Sequence, residues 1–151
     1  MPIGKGGAPD RRSKVSAVFD QLVSLLQRQV AALETVESRL RALELLVHAD
    51  EQRYVAQAMD ELEQAAERLA ALELGRALVL SSAGLPVDAA AGDLVAAADD
   101  DTTGLFQDVV DRLRNAAERV GEARERTQAA LRPGAEELRQ RLAATEAYAG
   151  V

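Results

Sequence analysis

Few side chains in this sequence could do chemistry, and each has a plainer reading beside it. The single histidine, His48, stands four residues after Glu44, so one helical turn can bring imidazole and carboxylate together. Such a pair could assist a proton transfer or help hold a metal. A basic group is also simply favourable at the C-terminal end of a helix. Asp99-Asp100-Asp101 offers carboxylates to a divalent cation, yet it lacks the alternating oxygen ligands and distal glutamate of a calcium loop. Helix capping and loop solvation account for the run equally well. Ser81-Ser82 has no base in sequence reach and no nucleophile-elbow glycines around it. Gly4, Gly6 and Gly7 precede neither a strand nor a lysine-serine or lysine-threonine signature, so they form no phosphate loop. Arg76 is a different case. It falls on an apolar stripe between Leu72 and Val79, and a buried guanidinium needs a carboxylate or carbonyl partner. Glu73, one turn earlier, is a candidate for a structural or partner-binding ion pair; the alternative is an arginine that snorkels out to water.

Composition narrows the classes further. With no cysteine there is no disulfide framework, thiolate zinc site, iron–sulfur cluster or cysteine nucleophile. One histidine cannot supply the paired Glu-x-x-His motifs of di-iron bundles. A formal charge of −7 and a pI of about 4.8 argue against nucleic acid as a partner, because phosphate affinity needs clustered Lys and Arg. No catalytic residue, metal ligand or cofactor is therefore assigned, and an interaction protein is expected rather than an enzyme. The charge is also unevenly placed. Lys5, Arg11, Arg12 and Lys14 against Asp10 give residues 1–14 a balance of +3, which leaves −10 for the rest. Glycines and prolines make this head a flexible basic tail by expectation. It has no apolar stretch of signal-peptide type behind it, and no run approaches the roughly 20 apolar residues of a membrane span. A cytoplasmic protein is the expectation.

The elements that must position these side chains are helices. Val15, Phe19, Leu22, Leu26, Gln29, Leu33, Val36, Leu40, Leu43 and Val47 follow steps of four and three, the mark of one helix face. Gln29 is the one polar member. Leu25, Leu45 and Leu46 widen the stripe beyond what a two-stranded coiled coil needs, which predicts contact with more than one helix. After an interruption at His48-Ala49-Asp50, with Asp50 as a candidate N-cap and Glu51 favourable in the next turn, a second ladder runs from Val55 to Ala83. Gly84 should stop it in a left-handed cap, and Pro86 should prevent its resumption. The short connection makes the two helices an antiparallel hairpin.

The expected organisation is all-α. A basic tail over 1–14 precedes one domain over 15–151: helices over 15–48 and 51–83, then a linker over 84–101 with a short helix capped by Asp88 or Asp93. A third helix over 102–131, capped by Asp101 or Thr102, has alanine and threonine where leucine would fill a self-sufficient seam. Pro133-Gly134 should break or kink it near Leu131. A kinked or mobile amphipathic segment over 134–149 follows, with Leu138, Leu142, Thr145 and Tyr148. A leucine-rich hairpin beside a weakly apolar C-terminal third suits an element that docks loosely and can rearrange to accept another helix.

Several of these residues carry a resemblance. Helix one reads Leu22-x-x-Leu25-Leu26 and Leu40-x-x-Leu43-Glu44, and the Asp50-Glu51 turn follows. Helix two closes with Leu72-Glu73-x-x-Arg76-x-Leu78-Val79-Leu80 and then Gly84-Leu85; Tyr148 and Gly150 stand near the end. This pattern resembles the FlgN family, flagellar type III export chaperones of hook–filament junction proteins. The family's third helix often carries paired asparagines, whereas only Asn115 appears here. The resemblance implies a non-enzymatic cytoplasmic chaperone that covers the amphipathic helical termini of hook-associated proteins. It would prevent their premature association and deliver them to the export gate or the export ATPase complex. It also implies that the C-terminal segment binds the client, with Val120, Leu131, Leu138, Leu142 and Tyr148 as apolar contacts. The competing reading is a structural coiled-coil or bundle subunit without an export role, with a homodimer through the first helix as one form.

Overall fold

The computed structural model describes residues 8–85, 100–132 and 140–145, with side chains described for 17–85, 104–132 and 140–145. The fold is all-α, and three long helices make it: α1 (Ala8–His48), α2 (Gln52–Ser82) and α3 (Asp100–Leu131). None is long and apolar enough to cross a membrane. α1 starts at Ala8 rather than at Val15, so half of the expected basic tail is helical. The reason is local. Pro9 stands in the first turn, where a missing N–H costs nothing, and Arg11, Arg12 and Lys14 are good helix formers. Residues 1–7 lie outside the described residues.

The α1–α2 connection corrects the expected capping. Asp50 does not cap α2. It adopts φ 55, and the α1 end closes with Asp50 N–H donating to the Val47 carbonyl (3.1 Å) and Glu51 N–H to the Leu46 carbonyl (3.0 Å). These two bonds form a Schellman motif in which Asp50 takes the left-handed position usually held by glycine. Glu51 becomes the N-cap of α2 and makes no side-chain capping bond. So short a connection must stop one helix and start another, and the reversal at Asp50 takes precedence. α2 ends the same way and as expected. Gly84 has φ 73, its N–H donates to Ser81 O (3.1 Å), and Leu85 N–H donates to Leu80 O (2.9 Å). α3 begins by Asp100, so Asp101 and Thr102 lie inside it rather than capping it, and it ends at Leu131, two residues ahead of Pro133. The expected short helix at Asp88 or Asp93 lies outside the described residues.

α1 is the hub. Both α2 and α3 pack against it, while α2 and α3 scarcely approach each other. α1 meets two helices as its broad stripe predicts, but other residues widen it: Val23, Val30 and Ala32 are buried beside Phe19, Leu22, Leu26, Leu33, Val36, Leu40 and Leu43, whereas Leu25 and Leu46 are half-buried and Leu45 is exposed. Each fully buried leucine removes enough apolar surface to contribute about 1.5–3 kcal/mol. Phe19 and Phe106 meet edge to face at 5.4 Å across α1 and α3.

α3 is not the loosely docked element that its composition suggests. Its seam, from Phe106 through Val109, Leu113, Ala116, Val120 and Ala123 to Thr127 and Leu131, is buried throughout. Small residues let the two backbones come close. The Thr127 hydroxyl reaches the Leu40 carbonyl of α1 (3.1 Å) as well as the Ala123 carbonyl of its own helix (2.8 Å). Arg119 Nε donates to Glu37 (3.2 Å), and Arg126 lies 3.7 Å from Glu44, so charge pairing flanks the seam.

Candidate functional site

Along α2, Asp60, Glu63, Glu67, Ala71, Leu74 and Leu78 succeed one another at steps of three and four, so they form one continuous stripe. The stripe faces away from α1. Its first half is acidic and its second half apolar. Leu74 and Leu78 are 62% and 63% exposed, among the most exposed large apolar side chains of the described residues.

The acidic half already holds a ligand from the same chain. Residues 140–145 are helical, and Arg141 reaches across to α2. Its Nη2 donates to Asp60 Oδ1 at 2.6 Å and to Glu63 Oε2 at 3.1 Å, and its Nε donates to Glu63 Oε1 at 2.7 Å. The fork geometry matches a bidentate guanidinium–carboxylate pair. The hydrogen bonds that the guanidinium donates to Glu63 first, then to Asp60, raise the arginine pKa above its ordinary value and hold the charge. Beside it Leu142 and Thr145 are buried, and Leu142 joins the common core. The α2 spacing was legible in the sequence as a second period-3.6 stripe; the Arg141 clamp was not, because 78 residues separate it from Glu63.

A second polar group sits inside the hairpin. Gln29 of α1 is wholly buried, and its Oε1 accepts from Arg76 Nη1 of α2 at 3.2 Å. Gln29 Nε2 and Glu73 Oε1 are buried without hydrogen-bond partners. Among the described residues no ion pair joins Glu73 to Arg76, so the expected pair within α2 is replaced by a bond between helices. Burial pushes the Glu73 carboxyl above its ordinary pKa, and the nearby Arg76 charge opposes that shift without cancelling it.

The other expected site residues fall as follows. Val120 and Leu131 of α3 are buried in the chain's own core, and so is Leu142. None of the three is a surface contact in this conformation, and Leu142 can meet a client only if its segment undocks. Leu138 and Tyr148 lie outside the described residues. His48 Nε2 is 3.7 Å from Glu44 Oε1 at an exposed helix end. Ser82 donates its hydroxyl proton to the Val79 carbonyl at 2.9 Å, closing the end of α2. Among the described residues, no three His, Asp or Glu side chains are placed to hold a metal ion. A shallow recess of about 280 Å³ between α1 and α3, lined by Gln27, Val30, Ala31, Glu34, Val109 and Arg112, mixes charge and apolar surface without an orphaned buried polar atom.

Compared with models of protein families, with curated proteins and with solved structures, the chain matches none.

Proposed function

We propose that this protein is a helix-binding chaperone of the kind its sequence resembles, an export chaperone for hook-associated proteins in the manner of the FlgN family. The observation that supports the reading best is the docking of residues 140–145 on α2. Within the described residues 140–145, Arg141 clamps Asp60 and Glu63 of α2 and Leu142 is buried. Segments of this kind open at a free energy well below that of global unfolding. An opened Leu142 and an emptied Asp60–Glu63 pair would together offer an amphipathic client helix apolar and charged contacts. The acidic body would speed encounter with basic clients, in a salt-dependent way.

The test is a pull-down with purified hook-associated proteins. The full chain should retain at least one of them. A chain ended after Leu131 should remain helical and soluble and retain none. If the full chain retains no such protein, the reading fails. If the shortened chain retains as much as the full one, client binding does not reside in the C-terminal segment.

A further inference from the structure

We infer that the outer face of α2 from Glu67 to Leu78 is a docking surface for a basic amphipathic helix of a partner protein. The inference rests on the helix-binding reading above and gives it a site and a ligand chemistry. The first observation is the stripe itself. Ala71, Leu74 and Leu78 form an exposed apolar ridge on a helix whose opposite face already packs on α1. The second is charge. From Asp60 to Ser82 the stripe carries three carboxylates and no basic residue, and Arg68 and Arg76 point to other sides of α2. Among the described residues no cation pairs with Glu67, although the two carboxylates before it are engaged by Arg141. The third is the chain's own example. One step earlier on the same stripe, the Arg141 guanidinium sits on the Asp60 and Glu63 carboxylates.

These observations choose among occupants. A second copy of this chain would bring carboxylates against carboxylates between molecules that each carry −7. A basic helix brings the missing charge. Glu67 and Leu74 are about 10 Å apart along the axis, and Glu67 and Leu78 about 16 Å, at 1.5 Å per residue. The matching partner therefore has a lysine or arginine with apolar residues seven and eleven positions away.

The experiment uses the full chain and a synthetic helical peptide of about 18 residues that carries this pattern, with binding followed by fluorescence anisotropy. A control peptide replaces its arginines by glutamate. The arginine peptide should bind, and the control should bind at least tenfold more weakly. Leu74→Gln with Leu78→Gln should weaken the arginine peptide at least tenfold, with an unchanged circular dichroism spectrum and melting temperature. Glu67→Arg should weaken the arginine peptide and strengthen the glutamate peptide. Binding of the arginine peptide that ignores all three substitutions overturns the site while leaving the helix-binding reading intact. Failure of every peptide, together with failure of hook-associated proteins to bind, overturns both. A melting temperature that drops in the double glutamine variant would show that another part of the chain already covers the face. A wild-type dimer that the variant dissolves, seen by sedimentation, would show a second copy there. Either result overturns the proposal.

Discussion

Arg76→Met tests the polar group inside the hairpin. In the native state the Gln29 carbonyl oxygen has Arg76 as its donor, and Gln29 is wholly buried. Removing the guanidinium leaves both ends of a buried amide unpaired, since Gln29 Nε2 has no partner to begin with. A buried polar atom stripped of its partner costs about 1–3 kcal/mol. Glu73 also loses the positive charge that partly offsets its desolvation. The expected loss is therefore about 1–3 kcal/mol, or roughly 3–10 °C of melting temperature at this chain length. Gln29→Leu in the same chain should reverse it. The orphaned amide is gone, methionine and leucine fill the space, and replacing a buried polar pair by apolar groups is often neutral or stabilising. Gln29→Leu alone should change stability little, because the half-buried Arg76 can turn to water. Urea and thermal unfolding followed by far-UV circular dichroism give the four corners of the cycle. A coupling energy of at least about 1 kcal/mol is expected. The reasoning is refuted if Arg76→Met lies within about 0.5 kcal/mol of wild type, or if Gln29→Leu fails to rescue it.

Three other outcomes follow from the same structure. Asp50→Gly should stabilise the protein by about 0.5–1 kcal/mol, because Asp50 holds φ 55 and glycine adopts that region without strain; a lower urea midpoint would contradict it. Glu73→Gln bears on pH. The native carboxyl has a raised pKa, so the folded state binds more protons than the unfolded one, and the Glu73 contribution falls as pH rises through that raised value. The variant should gain stability near neutral pH and less near pH 4, where the wild-type carboxyl is protonated; an equal gain at both pH values would exclude the mechanism. Leu40→Asp should cost several kcal/mol, because Leu40 is buried where α1 meets α3 and a carboxylate there loses its hydration; an unchanged melting temperature would show that the α1 seam is misplaced.

The helical class, the hairpin and the stops at Gly84 and before Pro133 were legible in the sequence because they depend on local rules. Period, left-handed glycine and the steric demand of proline act over a few residues. The breadth of the first stripe also foretold two neighbours for α1. Local rules failed where one residue had two tasks open to it. Asp50 could cap α2 or end α1, and only the geometry of the reversal chose. They failed again at α3, where low leucine content suggested loose docking. There the small residues instead allow a close approach that puts the Thr127 hydroxyl on the Leu40 carbonyl.

The C-terminal contacts divide in the same way. The sequence marked Leu142 as apolar and Arg76 and Gln29 as exceptions to two separate stripes. It could not show that the two exceptions meet, or that Arg141 closes on Asp60 and Glu63, because those pairings join residues that only the folded chain brings together. Periodicity states which face of a helix is apolar. Which partner covers that face, and which stretch of it stays bare, is decided by how the helices are arranged. On α2 that arrangement buries the ladder from Val55 to Leu69 and leaves Leu74 and Leu78 exposed.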